Sequence, residues 1–418
     1  MHTTDYLIAG SSHAALEAIN AIRMHDGEGS ITVVTRDPHR PYSPTVLPYV
    51  VSGRSTPERV YLRDDAFFTL NKVDYRSGCA LAGLDPAAHQ ARLADGSTIG
   101  YRKLLLATGA SPVVPPIPGI DRVDYHVLRT LDDATRLRAA MAGSKNAVVL
   151  GAGLVGMHAA ENLVKAGASV TIVEMSKQLT SGYFDEVAAG MIEQAFLGNG
   201  AKIRTGHRVV GLEPGPEGAT LQLDNGDTIP ADLLLVAVGV RPELGYLDGS
   251  GVATERGILV DDAMRTSVED VWAAGDCAQA RGFFTGTPVM NAILPDATVQ
   301  GRIAGMAMAG DPGVKPYPGG VPLNTYHFFG RHAISVGSAA VPEGGRAQVR
   351  FDAASGRYLR AVFDRDERLT GIFGVNEFFD AGVMAQLILR RTDLGPLRER
   401  FFAQPLATGR ELMSQLWR

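Results

Sequence analysis

The segment Gly151-Ala152-Gly153-Leu154-Val155-Gly156 constrains this chain more than any other. It follows the apolar run Ala147 to Leu150 and opens a helical pattern that extends to Lys165. A second apolar run, Ser169 to Val173, comes next. The spacing predicts strand, turn, helix, strand. The first glycine permits a tight turn, the second lets a pyrophosphate approach the backbone, and the third lets helix settle on strand. The helix start then offers backbone N–H groups to phosphate. Glu174 closes the next strand, twenty-three residues after Gly151. A carboxylate there accepts bonds from ribose hydroxyls and repels a 2′-phosphate, which favours NAD over NADP, although Lys177 nearby weakens the preference. A lone glycine triplet also serves as a plain packing turn. Strand, helix and acid in sequence set this one apart.

The same grammar opens the chain. Tyr6 to Ala9 is apolar, Gly10 follows, a helical pattern runs to Ile22, and Ile31 to Val34 is apolar again. Here the fingerprint is degraded to Gly10-Ser11-Ser12-His13-Ala14-Ala15. Ser12 and Ala15 stand where glycines are usual, and Thr35 stands where an acid is usual. A serine still admits a phosphate and donates to it, whereas Thr35 holds a ribose more weakly than a carboxylate does. Two such units predict an α/β chain with two Rossmann-like nucleotide-binding domains. Ser111 to Gly119 carries four prolines and reads as a stiff connection, and Val238-Gly239-Val240-Arg241-Pro242 as a second crossing point. From about Tyr326 short alternating strands precede a helical stretch, Val383 to Arg390, which predicts a smaller C-terminal α+β domain. The expected boundaries are 1–111 with 241–322 for one nucleotide domain, 112–240 for the inserted second, and 323–418 for the third.

Composition removes other classes. A net charge of -5 argues against nucleic acid as the main partner. No apolar run reaches the length of a membrane span, and the first residues lack the basic start and apolar core of a secretion signal, so the cytoplasm is the expected compartment. The two cysteines, Cys79 and Cys277, are too far apart in sequence for a local redox pair or a four-cysteine cluster, and no metal site is expected.

Further segments carry a resemblance. These are Leu104-Leu105-Leu106-Ala107-Thr108-Gly109, Leu128-Arg129-Thr130-Leu131-Asp132-Asp133-Ala134, Thr266 through Ala273-Ala274-Gly275-Asp276, and Val299-Gln300-Gly301-Arg302. With the two fingerprints they resemble the pyridine nucleotide–disulfide oxidoreductase-like flavoproteins over roughly residues 4 to 310. The resemblance implies FAD held by Gly10, Ser11, Ser12, His13, Ala14, Ala15, Thr35, Arg36, Pro44, Thr45, Ala80, Ala107, Thr108, Gly109, Arg129, Gly275, Asp276, Pro295 and Asp296. Asp276 would bind the ribityl chain and Arg129 would lie near the flavin. The helix starting near Pro295 would aim its positive end at the flavin's pyrimidine edge. NAD would be held by Gly151, Gly153, Leu154, Val155, Gly156, Glu174 and Gly239.

One departure from the family is informative. In Pro41-Tyr42-Ser43-Pro44-Thr45-Val46-Leu47-Pro48-Tyr49, Thr45 occupies the position of the single cysteine of the coenzyme A-disulfide reductase and NADH peroxidase branch. Threonine forms neither thiolate nor sulfenic acid. Where the ferredoxin reductase branch tends to carry a lysine near the flavin, this chain has Tyr49. Thr45 and Tyr49 are therefore expected to face the flavin, with no catalytic group in the protein beyond it. His13 and His158 read as structural, and Cys277 as a buried packing residue.

The expected activity is hydride transfer between NAD(H) and flavin N5, with single electrons passing to an iron–sulfur protein or subunit. The chain also resembles the FAD/NAD subunits of multi-subunit iron–sulfur oxidoreductases, so a complex or a homo-oligomer is expected. An NADH oxidase reducing O2 at the flavin and a non-enzymatic, NADH-responsive interaction flavoprotein remain alternatives. The terminal stretch carries Arg390, Arg391, Arg398, Arg400, Arg410 and Arg418 against Asp393, Glu399 and Glu411. It reads either as a docking patch anchored by Phe401, Phe402, Leu412 and Trp417, or as a terminal helix packed on its own domain.

Overall fold

A computed structural model describes residues 2–215 and 218–416. The chain folds into two compact units. The first comprises Met1–Pro112, Arg129–Ala134 and Val240–Gly320. Its elements are β1 (His2–Ala9), α1 (His13–His25), β2 (Ile31–Val34), β3 (Val73–Arg76), β4 (Leu81–Asp85), β5 (Gln90–Leu93) and β6 (Thr98–Leu106). The strands β3-β2-β1-β6 run parallel, and Val271–Ala273 adds a further parallel strand along the end of β6. Leu7, Ile8, Leu104, Leu105 and Leu106 are fully buried, as expected of a parallel sheet covered on both faces. The register aligns Ala9 with Val34 and with Leu106, and Leu106 with Ala273. The carboxyl ends of these strands therefore finish level and open one crevice, where ligands of open α/β sheets bind.

Against α1 lies the helix Leu294–Ala309. A Cβ on Gly301 would stand 2.1 Å from the Ala14 carbonyl oxygen, and one on Gly305 2.5 Å from that of Ala18. The two helices thus touch backbone to backbone, at positions one turn apart on each.

The second unit comprises Val113–Leu128, Thr135–Gly239 and Val321–Arg418. Here β7 (Asn146–Leu150), α2 (Leu154–Lys165), β8 (Ser169–Glu174), β9 (Lys202–Thr205) and β10 (Leu233–Val236) form a parallel sheet in the order β9-β8-β7-β10. The helix Glu186–Gly198 is capped by Asp185, which accepts from the Ala188 N–H at 2.9 Å. A three-stranded antiparallel sheet spans Val209–Gly215, Gly218–Leu223 and Thr228–Ala231. The last portion contributes a five-stranded antiparallel sheet of β11 (Leu323–Phe328), β12 (Arg331–Gly337), β13 (Arg346–Asp352), β14 (Arg357–Phe363) and β15 (Leu369–Val375), ordered β11-β12-β15-β14-β13. The buried Glu161 on α2 accepts from the Phe329 N–H at 2.8 Å, and Tyr358 on β14 donates to Asp185 at 2.7 Å.

The terminal helices Ala381–Leu389, Arg398–Ala403 and Pro405–Leu416 favour the second of the two readings, a terminal stretch packed on its own domain. Phe401 and Phe402 are buried, Arg400 pairs with Glu411 on the next helix, and Arg398 pairs with Glu399 and Glu367. The aromatics serve this unit's own core rather than a free surface. Trp417 and Arg418 lie outside the described residues. Among the described residues no helix is long and apolar enough to cross a membrane.

Candidate functional site

At the end of β1, Gly10 has φ +114°, and a Cβ there would stand 2.0 Å from the Ala107 carbonyl oxygen. Only glycine fits both the angle and the gap. The chain then enters α1 through Ser12, whose hydroxyl makes no capping bond, so the helix start remains a set of N–H groups suited to an anion. Ser11 precedes it, and Ala14 and Ala15 are buried behind it. Gly10, Thr35, Arg36, Ala80, Thr108 and Gly109 line one cleft with about 580 Å3 of empty space, together with Cys79, Glu243 and Tyr246. Ala107 is buried at its back. The buried Thr35 extends the line of β2: its N–H donates to Arg76 at 3.1 Å, and its carbonyl accepts from Cys79 at 2.7 Å. Arg36 is held by Glu243 at 3.1 Å and by Ser111 at 2.7 Å.

Arg129 and Asp276, far apart in sequence, meet at the crevice. The guanidinium donates to Asp276 Oδ2 at 2.8 Å and through Nε to the Ala110 carbonyl at 3.0 Å. Gly275, with φ +80°, turns the chain after Val271–Ala273, and its N–H donates to the buried Gln300 side chain at 2.8 Å. Pro295 and Asp296 are the second and third residues of the helix Leu294–Ala309. Asp296 is buried, accepts from the Asn291 side chain and lies beside the Tyr317 hydroxyl. Burial pushes its carboxyl up to about 6, against the pull of those two donors.

Thr45 sits in the short 3₁₀ segment Pro44–Val46. Its hydroxyl lies 2.7 Å from that of the buried Ser43, which lies 2.9 Å from His13 Nε2. Tyr49, on the short helix Leu47–Val51, is 45% exposed. Cys277 is fully buried, donates to the carbonyls of Leu106 and Ala274 at 3.3 and 3.4 Å, and has its thiol pushed up by burial.

In the second unit Gly151 has φ +96°, and a Cβ there would stand 2.5 Å from the Ala237 carbonyl oxygen. A Cβ on Gly156 would stand 2.2 Å from the carbonyl oxygen of Gly151. Gly153 is different: its nearest neighbour is the Tyr183 ring at 3.8 Å, so the protein itself leaves room there. Leu154 begins α2, and Val155 beside it is exposed. Glu174 accepts from the Ala152 N–H at 2.8 Å and the Ser176 N–H at 2.7 Å, which ties the glycine turn to the end of β8. Gly239, with φ +120°, follows β10, and its carbonyl accepts from the Val113 N–H at 2.9 Å. His158 packs edge-on against Tyr326, at 4.7 Å between ring centres.

Sequence reasoning missed Ser43, Glu243, Tyr246, Asn291 and Tyr317. Each reaches the site through the fold, and neither periodicity nor a glycine turn marks it.

The chain matches the family model described as pyridine nucleotide-disulphide oxidoreductase over residues 4–304. It is 75% identical over 415 residues to the NADH-dependent phenylglyoxylate dehydrogenase subunit epsilon of Aromatoleum evansii, covering 99% of this chain and 98% of that one. With the rubredoxin-NAD(+) reductase of Pseudomonas putida the identity is 28% over 315 residues, or 75% of this chain and 82% of that one. Among solved structures, the ferredoxin reductase for the CYP199A2 system from Rhodopseudomonas palustris superposes with a TM-score of 0.81 at 28% identity, covering 90% of this chain and 91% of that one.

Proposed function

The chain is an oxidoreductase of the pyridine nucleotide-disulphide oxidoreductase family, whose members use FAD and NAD(H), and from that premise we propose that it exchanges electrons between NAD(H) and a separate iron–sulfur protein or subunit. The observation that carries this reading is the region around Thr45. Its neighbours there are hydroxyl and imidazole groups, and Cys277 is sealed into the sheet. A chain without a thiol relay hands electrons directly from its cofactor to an acceptor. The relative at 75% identity is named as one subunit of a larger dehydrogenase, which supports a subunit as that acceptor.

The first unit fits FAD. Gly10 lets the turn after β1 lie directly against the Ala107 carbonyl, and the start of α1 is uncapped beside it. Gly10, Ser11, Ser12, Ala14 and Ala15 would cradle the pyrophosphate. Thr35, Arg36 and Ala80 would line the ribose end, and Ala107, Thr108 and Gly109 the opposite wall. Arg129 fixes Asp276, which would accept from the ribityl chain through its remaining lone pairs. Pro295 and Asp296 would place the positive end of their helix at the flavin, with Pro44, Thr45 and Tyr49 on its facing side. When bound, FAD supplies the exchange between hydride and single electrons. In the second unit Gly151, Gly153, Leu154, Val155, Gly156, Glu174 and Gly239 would hold NAD(H), Gly153 by admitting the pyrophosphate. In this reading residues 1–111 with 241–322 form the FAD domain, 112–240 the NAD domain and 323–418 an interface domain.

Anaerobic mixing with NADH, followed by a second mix with a ferredoxin-type protein or with O2, tests the proposal. Flavin absorbance should bleach with NADH and return much faster with the iron–sulfur protein. Equal return rates would favour the oxidase alternative, and failure to bleach would end the reading.

A further inference from the structure

The half-buried ring of His13, the buried hydroxyl of Ser43 and the exposed hydroxyl of Thr45 form one hydrogen-bonded line in the first unit, with steps of 2.9 and 2.7 Å. Its middle member is fixed in place. Ser43 is buried, Pro44 follows it, and Tyr42 before it donates to Asp37 at 2.5 Å and accepts from the Leu131 N–H at 3.0 Å. The His13 end is anchored as the first residue of α1.

A hydroxyl has one proton to donate and two lone pairs to accept with. Ser43 therefore donates to only one of its two neighbours at a time. When His13 Nε2 is bare, Ser43 donates to it, Thr45 donates to Ser43, and Thr45 presents only lone pairs beyond. When Nε2 carries a proton, the direction reverses and the Thr45 O–H points outward. Moving a proton along the line and reversing its polarity are the same event.

Burial draws the His13 imidazole below its usual range; the carboxylates of Asp276 and Glu17 pull it back up, and the Arg63 guanidinium pushes it further down. The ring is thus neutral near pH 7 and can accept a proton.

The proposed activity creates a need for such a line. NADH gives up two electrons and one proton as it becomes NAD⁺. Two one-electron acceptors take the electrons and leave the proton behind. One proton per NADH must therefore leave the site, or enter it in the reverse direction. We propose that Thr45, Ser43 and His13 form the path of that proton, with Thr45 as its cofactor-side end and His13 as its reservoir. In the outward direction Thr45 Oγ1 takes up a proton as it passes its own to Ser43 Oγ. Ser43 passes its own to His13 Nε2, and the imidazolium releases the proton to solvent. The path rests on the proposed function, since it requires Thr45 to face the flavin.

The test uses FAD-loaded protein, the variants Ser43→Ala, Ser43→Thr and the near-isosteric Thr45→Val, and ferricyanide as the one-electron acceptor. Anaerobic stopped flow follows bleaching by NADH and its reversal, while a pH dye follows proton release. The ratio of the reductive to the oxidative rate should rise about tenfold in Ser43→Ala and in Thr45→Val. Proton release should slow in step with the oxidative rate, and Ser43→Thr should restore both. Histidine-selective 15N NMR of the oxidised protein gives a readout independent of turnover. Loss of the Ser43 hydroxyl should change the Nε2 resonance and the titration midpoint of His13. Wild-type ratios in both deletion variants, or an unchanged His13 titration in Ser43→Ala, would overturn the path. If Ser43→Ala sheds FAD, Thr45→Val alone decides. If the wild-type protein does not bleach with NADH, the proposed function fails first, and the NMR result still reports whether the line exists.

Discussion

At Gly151–Gly156 the chain clears its own turn, whereas at Gly10–Ala15 part of the clearance comes from elsewhere. In the second unit the third glycine is required because its Cβ would strike the carbonyl of the first. In the first unit Ala15 occupies the matching position and is buried without conflict. Along α1 the tight approach lies at Ala14 and Ala18, and the missing side chains belong to Gly301 and Gly305. The polar ends differ likewise. Glu174 holds the second turn through the Ala152 N–H and also accepts from the Ser176 N–H just past β8, while at Thr35 the backbone bonds to Arg76 and Cys79 and the charged groups of the cleft are Arg36 and Glu243. The fingerprint is a steric requirement, and a distant segment can meet it.

The largest effect should come from returning side chains to both clearances. Gly156→Ala and Gly301→Ala should each cost about 3 kcal/mol of stability, the upper end for overpacking, since backbone on both sides cannot yield. Ala15→Gly should cost only about 1 kcal/mol through helix propensity. Denaturant titration of the three variants measures this, and a tolerated Gly301→Ala would break the comparison. The helix that supplies those glycines also carries Asp296. Its folded carboxyl holds a proton up to about pH 6, against a usual value of 3.8, so stability falls as pH rises through that window. Asp296→Asn should therefore stabilise the protein by about 3 kcal/mol at pH 8 and by little at pH 4. A gain of equal size at both pH values would show that the buried charge is not its source.

Next in size, Asp276→Ala should weaken FAD binding by roughly 10- to 100-fold, the usual effect of losing a hydrogen bond to a charged group. Calorimetric titration of the flavin-free protein reads it, and full retention of FAD through gel filtration would contradict the assignment. The smallest effect should be at Glu174. Replacing it with alanine should narrow the preference for NADH over NADPH about tenfold, by removing repulsion from the 2′-phosphate. Paired rates of flavin reduction with the two nucleotides give the ratio, and an unchanged ratio would leave Glu174 only its role in tying the turn.

Both Rossmann-like sheets were legible because their signals are local: an apolar run, a glycine, a helical period and a second run within some thirty residues. The α/β class follows from that repetition. What local patterns could not show is which residues meet. Ser43 reaches His13 across thirty positions and Arg129 reaches Asp276 across 147. In sequence Asp296 is marked only by the resemblance, which places it at the flavin; its burial is a product of the fold. Composition left two readings open at the C-terminus, an exposed patch or a self-packed helix, because both have arginines beside aromatics; the burial of Phe401 and Phe402 favours the second.

The contact of Ala14 and Ala18 with Gly301 and Gly305 also orders events in time. The sheet of the first unit lacks Val271–Ala273, and α1 lacks its neighbouring helix, until some three hundred residues have left the ribosome. The parallel sheet β9-β8-β7-β10 is complete in sequence by Val236. During synthesis the later-starting sheet therefore gains its full set of strands first, while the opening βαβ unit waits half-covered, with apolar surface that invites chaperones.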